Sequence, residues 1–216
     1  MTSRRVKAYC LTCIFFIILL SITASALVGA SWKKNPEITL AAADNDPRIR
    51  FVYEAVNFWN AYLRELNISL QFETINLKPL PEIEETLKRM SAKDLAGENP
   101  LPFPSFMDDI DSAILIILSN AEIVSFAEHW VKREKALIAV KSDKTLPLSL
   151  PNVTRNVIAH ELGHVLGLEH NNDGEMLMCG RPSTCRPDRF SSTKPHFLKL
   201  TKSEETQLLT IYKNHE

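Results

Sequence analysis

Glycine and cysteine are scarce in this chain, and an excess of basic charge is missing. Its 216 residues include six glycines and four cysteines, and 25 basic residues stand against 26 acidic ones. Proteins that bind nucleic acid usually carry a basic patch or stripe, so we expect no nucleic-acid partner. Because segment 99–111 is rich in proline and poor in glycine, we expect an ordered loop there and not a flexible linker. No internal repeat is visible, and the length leaves no room for a second catalytic domain.

The four cysteines form two pairs in different settings. Cys10 and Cys13 lie within an apolar N-terminal stretch, whereas Cys179 and Cys185 lie six residues apart near the C-terminus. Two cysteines outside the N-terminal stretch allow one bridge, and a disulfide between Cys179 and Cys185 is expected if the chain reaches an oxidising compartment. A redox role or a second metal site is the alternative for this pair.

The N-terminus has the pattern of an export segment. Three basic residues within positions 4–7 precede 25 uncharged residues at 8–32. Small residues and the sequence Ala24-Ser25-Ala26 favour a cleaved signal peptide. The uncharged stretch is also long enough to span a bilayer, so a membrane anchor is the alternative.

This pattern divides the chain into two parts. Residues 1–30 are expected to be a signal peptide or signal anchor, and residues 31–216 a single catalytic domain. The second part carries 22 basic and 26 acidic residues, a formal charge of −4. We expect a secreted or extracytoplasmic protein that contacts the membrane only if residues 8–30 remain attached.

Residues 160–170 read His-Glu-Leu-Gly-His-Val-Leu-Gly-Leu-Glu-His. On a helix of 3.6 residues per turn, His160 and His164 lie on the same face, so both rings can reach one ion. Gly167 lets the backbone leave the helix in a conformation that is costly for other residues, and the chain can then bring His170 to the same ion. The segment predicts a three-histidine zinc site with an open fourth position.

The next residue after the first histidine completes a chemical unit. Glu161 is close enough to hold a zinc-bound water, and its position suits a base and not a ligand. One alternative is a surface helix that happens to carry histidines. Another is a purely structural zinc site, which would need a fourth protein ligand, for which Cys179 is the nearest candidate.

The motif has the form HExxHxxGxxH, in which the chain resembles the metzincin superfamily of zinc endopeptidases, and more closely its matrixin-like catalytic domains. Metzincins carry a methionine beneath the metal. Met178, eight residues after the third histidine, falls where matrixin-like members place theirs, and Met176 is the weaker candidate. Residues 200–212 resemble the closing helix of a matrixin domain, in which Thr201 and Glu204 have the spacing of a capping box.

The chain also differs from the usual matrixin pattern. Matrixins usually have Ser after the third histidine and Tyr-Pro after the methionine, whereas this chain has Asn171 and Cys179-Gly180. The resemblance therefore leaves the metzincin subfamily open.

The resemblance implies both a fold and an activity. The fold is α+β, with a twisted, mostly parallel sheet, an antiparallel edge strand, a long N-terminal helix, an active-site helix and a C-terminal helix. The activity is that of a zinc-dependent endopeptidase, in which Glu161 assists the attack of a zinc-bound water on a peptide bond. One zinc ion would be held by His160, His164 and His170. A monomer is expected, with a peptide or protein substrate bound in an extended conformation along the edge strand.

Two other functions remain open. One is an exported or membrane-anchored zinc-binding module without turnover. The other is a thermolysin-like site with a downstream glutamate ligand, for which Glu204 and Glu205 are the only later pair. Calcium is a further candidate ion at Asp108, Asp109 and Asp111, although the alternative for this acidic run is a solvated turn.

Apolar periodicity places the expected elements. Expected strands lie at 38–41, 68–75, 113–118, 123–130 and 136–140, and expected helices follow Pro47, run near 81–90, contain the zinc motif and end the chain. His129 and Trp130 are expected to be partly buried without a catalytic role. Asn67 and Asn152 begin glycosylation acceptor patterns, and a helix cap is the alternative for Asn152.

Overall fold

The structure is a computed structural model, and it describes residues 32–98, 100–180, 192 and 194–213. The expected export segment at 1–30 and Cys185 lie outside these residues. No helix in the described part of the chain is long and apolar enough to cross a membrane.

Five strands form one sheet in the order β2-β1-β3-β5-β4. The strands are β1 (Ile38–Ala42), β2 (Ile75–Pro79), β3 (Ile114–Leu118), β4 (Phe126–Trp130) and β5 (Lys135–Val140). All neighbours pair in parallel except β4, which pairs antiparallel with β5 at one edge. β1 and β3 are buried at every residue, as expected for continuous apolar strands that are covered on both faces. The predicted mostly parallel sheet with an antiparallel edge strand is confirmed.

Successive residues of each central strand enter two different hydrophobic cores, because side chains alternate between the faces of a sheet. One core joins Ile114 and Ile116 of β3 to α1 (Ile49–Glu65), α3 (Pro151–Val165) and α4 (Lys202–Lys213). The other core joins Leu115 and Ile117 to α2 (Glu84–Leu95) and to a short 3-10 helix at Ser105–Asp109. The expected N-terminal, motif-bearing and C-terminal helices therefore share one face of the sheet.

Two elements lie later in the chain than the periodicity predicted. The strand expected at 68–75 is wrong in its position, because β2 begins at Ile75. Phe72 is buried, but its backbone bonds to the side-chain amide of Asn60. Phe72 N donates to Asn60 Oδ1 at 2.8 Å, and Asn60 Nδ2 donates to the Phe72 carbonyl at 2.9 Å. These two bonds replace the hydrogen bonds that a neighbouring strand would make. The helix expected near 81–90 lies at Glu84–Leu95, where two glutamates occupy the first turn and favour a helix N-terminus.

A buried arginine connects the start of α1 to the ends of two strands. The side chain of Arg48 is 1% exposed, and its Nη1 donates to the carbonyl oxygens of Ser119 at 2.9 Å and Lys141 at 2.8 Å. Its Nη2 donates to the Asp46 carboxylate at 2.6 Å. A buried charge is tolerated only when it is paired and hydrogen-bonded, so this arrangement fixes α1 relative to β3 and β5.

Candidate metal centre

Three imidazoles converge at the C-terminal end of α3. The Nε2 atom of His164 lies 3.0 Å from that of His160 and 3.0 Å from that of His170, and the third pair is 3.2 Å apart. Tetrahedral zinc with Zn–N bonds of about 2.0 Å requires nitrogen atoms about 3.3 Å apart. The triangle of nitrogen atoms therefore has the size that one zinc ion needs.

Hydrogen bonds on the other ring nitrogens orient two of these ligands. The Nδ1 atom of His160 lies 2.8 Å from the Leu177 carbonyl oxygen, and that of His164 lies 2.7 Å from the Leu168 carbonyl oxygen. A carbonyl oxygen can only accept, so each Nδ1 carries the proton and each Nε2 presents its lone pair to the centre.

Burial keeps the same two rings neutral. It lowers the pKa of His160 to about 4 and that of His164 to about 3, because a charged ring would lose its hydration. Metal binding requires the neutral imidazole, so both rings have the right protonation state at pH 7.

The chain leaves α3 through a glycine cap. Gly167 has φ of 93° and donates its N–H to the His164 carbonyl, while Leu168 donates to the Gly163 carbonyl. This pair of bonds is a Schellman cap, which needs the left-handed conformation at its central residue. The turn that it makes allows His170 to come back to the two helix histidines.

A methionine packs beneath the helix that carries the ligands. Met178 is fully buried, and a Cβ atom placed on Gly163 would lie 2.5 Å from its sulfur. Met176 is only half-buried and pairs with Lys199 in an isolated bridge. Of the two methionines singled out by the sequence, Met178 is therefore the one that packs against α3 between His160 and His164.

Glu161 lies on α3 beside the ligands. It is 6% exposed and follows His160 directly in the chain. It is also three residues before His164, so both side chains project from the same side of the helix. Glu161 is therefore a buried carboxylate that α3 carries on the side of His164.

The structure removes the nearest fourth protein ligand. Cys179 is in a disulfide bond and so offers no thiolate. Its expected partner, Cys185, lies outside the described residues. A closed structural zinc site completed by Cys179 is therefore wrong, and among the residues that the structure describes no fourth side chain joins the three histidines.

Neither later glutamate reaches the metal centre. Glu204 accepts hydrogen bonds from Asn171 and Thr201, and Glu205 accepts from the Tyr62 hydroxyl and from Lys202. Over the described ranges, the three histidines are the one group of three or more side chains placed to hold a metal ion. The acidic run at 108–111 forms no such group, which leaves the calcium prediction without support.

Two tryptophan side chains that hold α3 in place were not identified from the sequence. The indole Nε1 of Trp59 donates to the Ala159 carbonyl at 2.8 Å, and that of Trp32 donates to the Val165 carbonyl at 2.9 Å. The Trp32 ring also stacks on His129, with 4.5 Å between ring centroids. The indoles therefore bond to the helix on either side of the ligand pair.

Two asparagines near the start of α3 bond to the backbone of the segment that precedes α4, and neither caps the helix. Asn152 is fully buried inside the helix, which has Leu150 at its N-cap, so the alternative that Asn152 caps this helix is wrong. Its Nδ2 donates to the carbonyls of Ser192 and Lys194. Asn156 bonds the backbone of the same returning segment through His196 and Leu198.

Comparison with known proteins gives one family match and several similar structures. Residues 119–195 match the family model Peptidase_M10, described as Matrixin. The chain is similar to archaemetzincin from Methanopyrus kandleri, with 16% identity, 83% of this chain and 97% of that chain covered, and a TM-score of 0.44. It is also similar to metalloproteinase-II from Bacteroides fragilis, with 14% identity, 85% of this chain and 55% of that chain covered, and a TM-score of 0.47. A third similar structure is a zinc-dependent peptidase from Methanocorpusculum labreanum, with 13% identity, 79% of this chain and 99% of that chain covered, and a TM-score of 0.41.

Proposed function

We infer that this chain, which carries a metzincin-like zinc metallopeptidase domain, is an endopeptidase that cuts internal bonds of peptide or protein substrates. The observation that carries the proposal is the convergence of three Nε2 atoms, 3.0 to 3.2 Å apart, within the segment that matches the matrixin model. Three histidines with no fourth protein ligand among the described residues are the ligand set of a catalytic zinc site and not of a structural one.

The residues present suit zinc. His160, His164 and His170 would hold the ion through Nε2. When bound, zinc supplies Lewis acidity and lowers the pKa of a coordinated water toward neutrality. Glu161 accepts the proton of the attacking water and then delivers it to the nitrogen of the leaving amine, so one carboxylate is first the base and then the acid.

The edge strand β4 is the proposed binding site for the substrate backbone. It is the terminal strand of the sheet and contacts α3, the helix that carries the ligands. An extended peptide can supply the hydrogen-bond partners that a sheet edge lacks. This geometry favours a chain that passes through the site over one bound only by its end.

Export is part of the same proposal. Residues 1–30 act as a signal peptide or anchor, and residues 31–216 form one catalytic domain that is secreted, extracytoplasmic or held at a membrane by residues 8–30. The disulfide at Cys179 supports an oxidising compartment. N-terminal sequencing of the exported protein distinguishes the cases: a start near residue 27 indicates cleavage, an intact N-terminus indicates an anchor, and a protein that is not exported contradicts the proposal.

The activity is tested by digestion of a peptide library with the full-length protein. We expect cleavage at internal bonds that stops after chelation and returns with added zinc. Glu161→Gln is the matched control: it should bind zinc as the wild type does and cut roughly 100- to 10,000-fold more slowly. Full activity of this variant would exclude the mechanism. Bound zinc without cleavage of any peptide would favour the non-catalytic module, and release of terminal residues alone would exclude an endopeptidase.

A further inference from the structure

Four hydrogen bonds hold the residue after the third histidine. The backbone N of Asn171 donates to the Met178 carbonyl at 2.8 Å, and its carbonyl accepts from Gly180 N at 3.2 Å. Its side-chain Oδ1 accepts from Asp173 N at 2.7 Å, and its Nδ2 donates to Glu204 Oε1 at 2.6 Å. Main chain and side chain of Asn171 are thus both fixed.

The partner of this amide is itself fixed from the other side. Glu204 is 4% exposed and belongs to the first turn of α4. Its Oε2 accepts from Thr201 N at 2.6 Å, and its own N–H donates to Thr201 Oγ1 at 3.2 Å. This is a capping box, so one oxygen of Glu204 closes the N-terminus of α4 while the other reaches Asn171.

His170 depends on such support more than the other two ligands. His160 and His164 are carried by α3, whereas His170 lies beyond the end of the helix and is exposed. Its ring lies directly over Gly180, where an added Cβ would be 2.1 Å from His170 Cγ. Asn171 is covalently joined to His170 and hydrogen-bonded to Gly180. It therefore constrains the position of the ligand His170 and also that of Gly180, against which the ligand ring packs.

We propose that Asn171 and Glu204 are a positioning pair, through which the capped start of α4 holds His170 at the metal. The proposal rests on the metal site proposed above. The Asn171 side chain suits this role because its amide reaches Glu204 and carries the N–H that donates to it.

Nearly isosteric substitutions can remove and then restore the hydrogen bond between Asn171 and Glu204. Asn171→Asp replaces the donor with a carboxylate oxygen that faces Glu204 Oε1 across a 2.6 Å contact, and two carboxylates repel each other. Adding Glu204→Gln reverses the bond: the glutamine Nε2 donates to Asp at 171, and its Oε1 still accepts from Thr201 N. Glu204→Gln alone leaves one of the two donors, Asn171 Nδ2 or Thr201 N, without its acceptor.

Zinc affinity and metal geometry are measured on full-length protein. The zinc dissociation constant comes from competition with a chromophoric chelator, and the visible absorption spectrum of the Co²⁺-substituted protein reports the ligand geometry. We expect Asn171→Asp to raise the dissociation constant about 10- to 100-fold, as for other residues that orient metal ligands, and to change the Co²⁺ spectrum. Glu204→Gln alone should raise it less, and the double variant should return both readouts toward wild type.

Asn60→Asp is the matched control. Asn60 is also half-buried and donates through Nδ2 to a backbone carbonyl, that of Phe72 at 2.9 Å. It should lower the free energy of unfolding and leave the zinc dissociation constant and the Co²⁺ spectrum unchanged.

The outcomes separate this inference from the proposed function. Wild-type protein that binds no zinc would contradict the proposed function itself. A wild type that binds zinc and cleaves peptides, with an Asn171→Asp variant that binds zinc equally well, would overturn the positioning pair alone. The pair is also overturned if the double variant is no better than Asn171→Asp. If Asn171→Asp does not fold, the comparison is between Glu204→Gln and the double variant, and tighter zinc binding by the single variant overturns the pair.

Discussion

The backbone of Gly163 packs directly against the side chain of Met178, because glycine has no side chain to separate them. A Cβ atom on Gly163 would lie 2.5 Å from Met178 Sδ and 3.2 Å from Trp59 Cζ2, and real Cβ atoms do not approach other atoms as closely as the first of these distances. Gly163 directly precedes His164 in α3, so the helix backbone itself rests on the methionine. The sulfur fills the space that a side chain at residue 163 would occupy, without pushing the helix away.

We therefore expect Gly163→Ala to destabilise the protein. Alanine favours a helix more than glycine does by about 1 kcal/mol, but the overpacking against Met178 should outweigh that gain and give a net loss of about 1 to 3 kcal/mol. Urea unfolding measures the change. The double variant with Met178→Ala should cost less than the sum of the single variants, because the methionine no longer opposes the new methyl group. A Gly163→Ala variant more stable than wild type would contradict the close contact.

Removing the metal should lower the stability of the whole domain. The three Nε2 atoms come together only in the folded chain, since His160 and His170 are ten residues apart, so zinc binds the native state in preference to the unfolded one. Free zinc at 100 times its dissociation constant should add about 2.7 kcal/mol to the free energy of unfolding. Thermal unfolding with and without chelator measures the effect. His164→Ala should abolish it, and an equal shift in that variant would place the bound zinc elsewhere.

The sequence predicted those features that depend on local spacing. The helix Ile49–Glu65, the apolar strands Ile114–Leu118 and Lys135–Val140, and the three histidines follow from side-chain periods of 3.6 and 2.0 and from one short motif. The fold class was predictable because a metzincin-like motif implies the sheet around it.

What the sequence could not supply are contacts between distant residues. The strand expected at 68–75 was misplaced because the side chain of Asn60 takes the hydrogen bonds of Phe72 that a neighbouring strand would have taken. The bond from Trp32 to the Val165 carbonyl spans 133 residues, and no local pattern marks either partner. For the hydrogen bond between Asn171 and Glu204, the sequence contained one weak indication. Residue 171 is an asparagine, whereas the matrixin pattern described above has a serine there.

His129 should make stability depend on pH. Burial lowers its pKa from 6.5 to about 4, and its Nδ1 is buried with no hydrogen-bond partner in the part of the chain that the structure covers. Because the unfolded chain takes up this proton near pH 6.5 and the folded protein only near pH 4, the free energy of unfolding should fall as the pH drops from about 6.5 to about 4. Above that window this group adds no pH dependence.

His129→Phe isolates that contribution, because an aromatic ring can still stack on Trp32. Urea unfolding of the zinc-loaded protein at several pH values should give a shallower slope for the variant between pH 6.5 and 4. Wild type and variant should run parallel from pH 7 to 8. Identical slopes in the acidic window would mean that His129 is protonated in the folded protein as easily as in the unfolded chain.

The guanidinium of Arg48 should be among the most stabilising polar groups of the described chain. Arg48→Met leaves the Asp46 carboxylate, whose side chain is 4% exposed, without its buried cation, and the carbonyls of Ser119 and Lys141 without their donor. Breaking a buried ion pair by removing one partner costs about 3 to 5 kcal/mol, and we expect a loss of that size in urea unfolding. Adding Asp46→Asn should recover part of it, because the stranded charge is then gone. Arg64→Met is the matched control, since Arg64 is exposed and its guanidinium donates to Gln71 in a solvent-exposed hydrogen bond. This variant should cost no more than about 0.5 kcal/mol, and equal losses at the two positions would mean that Arg48 does not fasten α1 to the sheet.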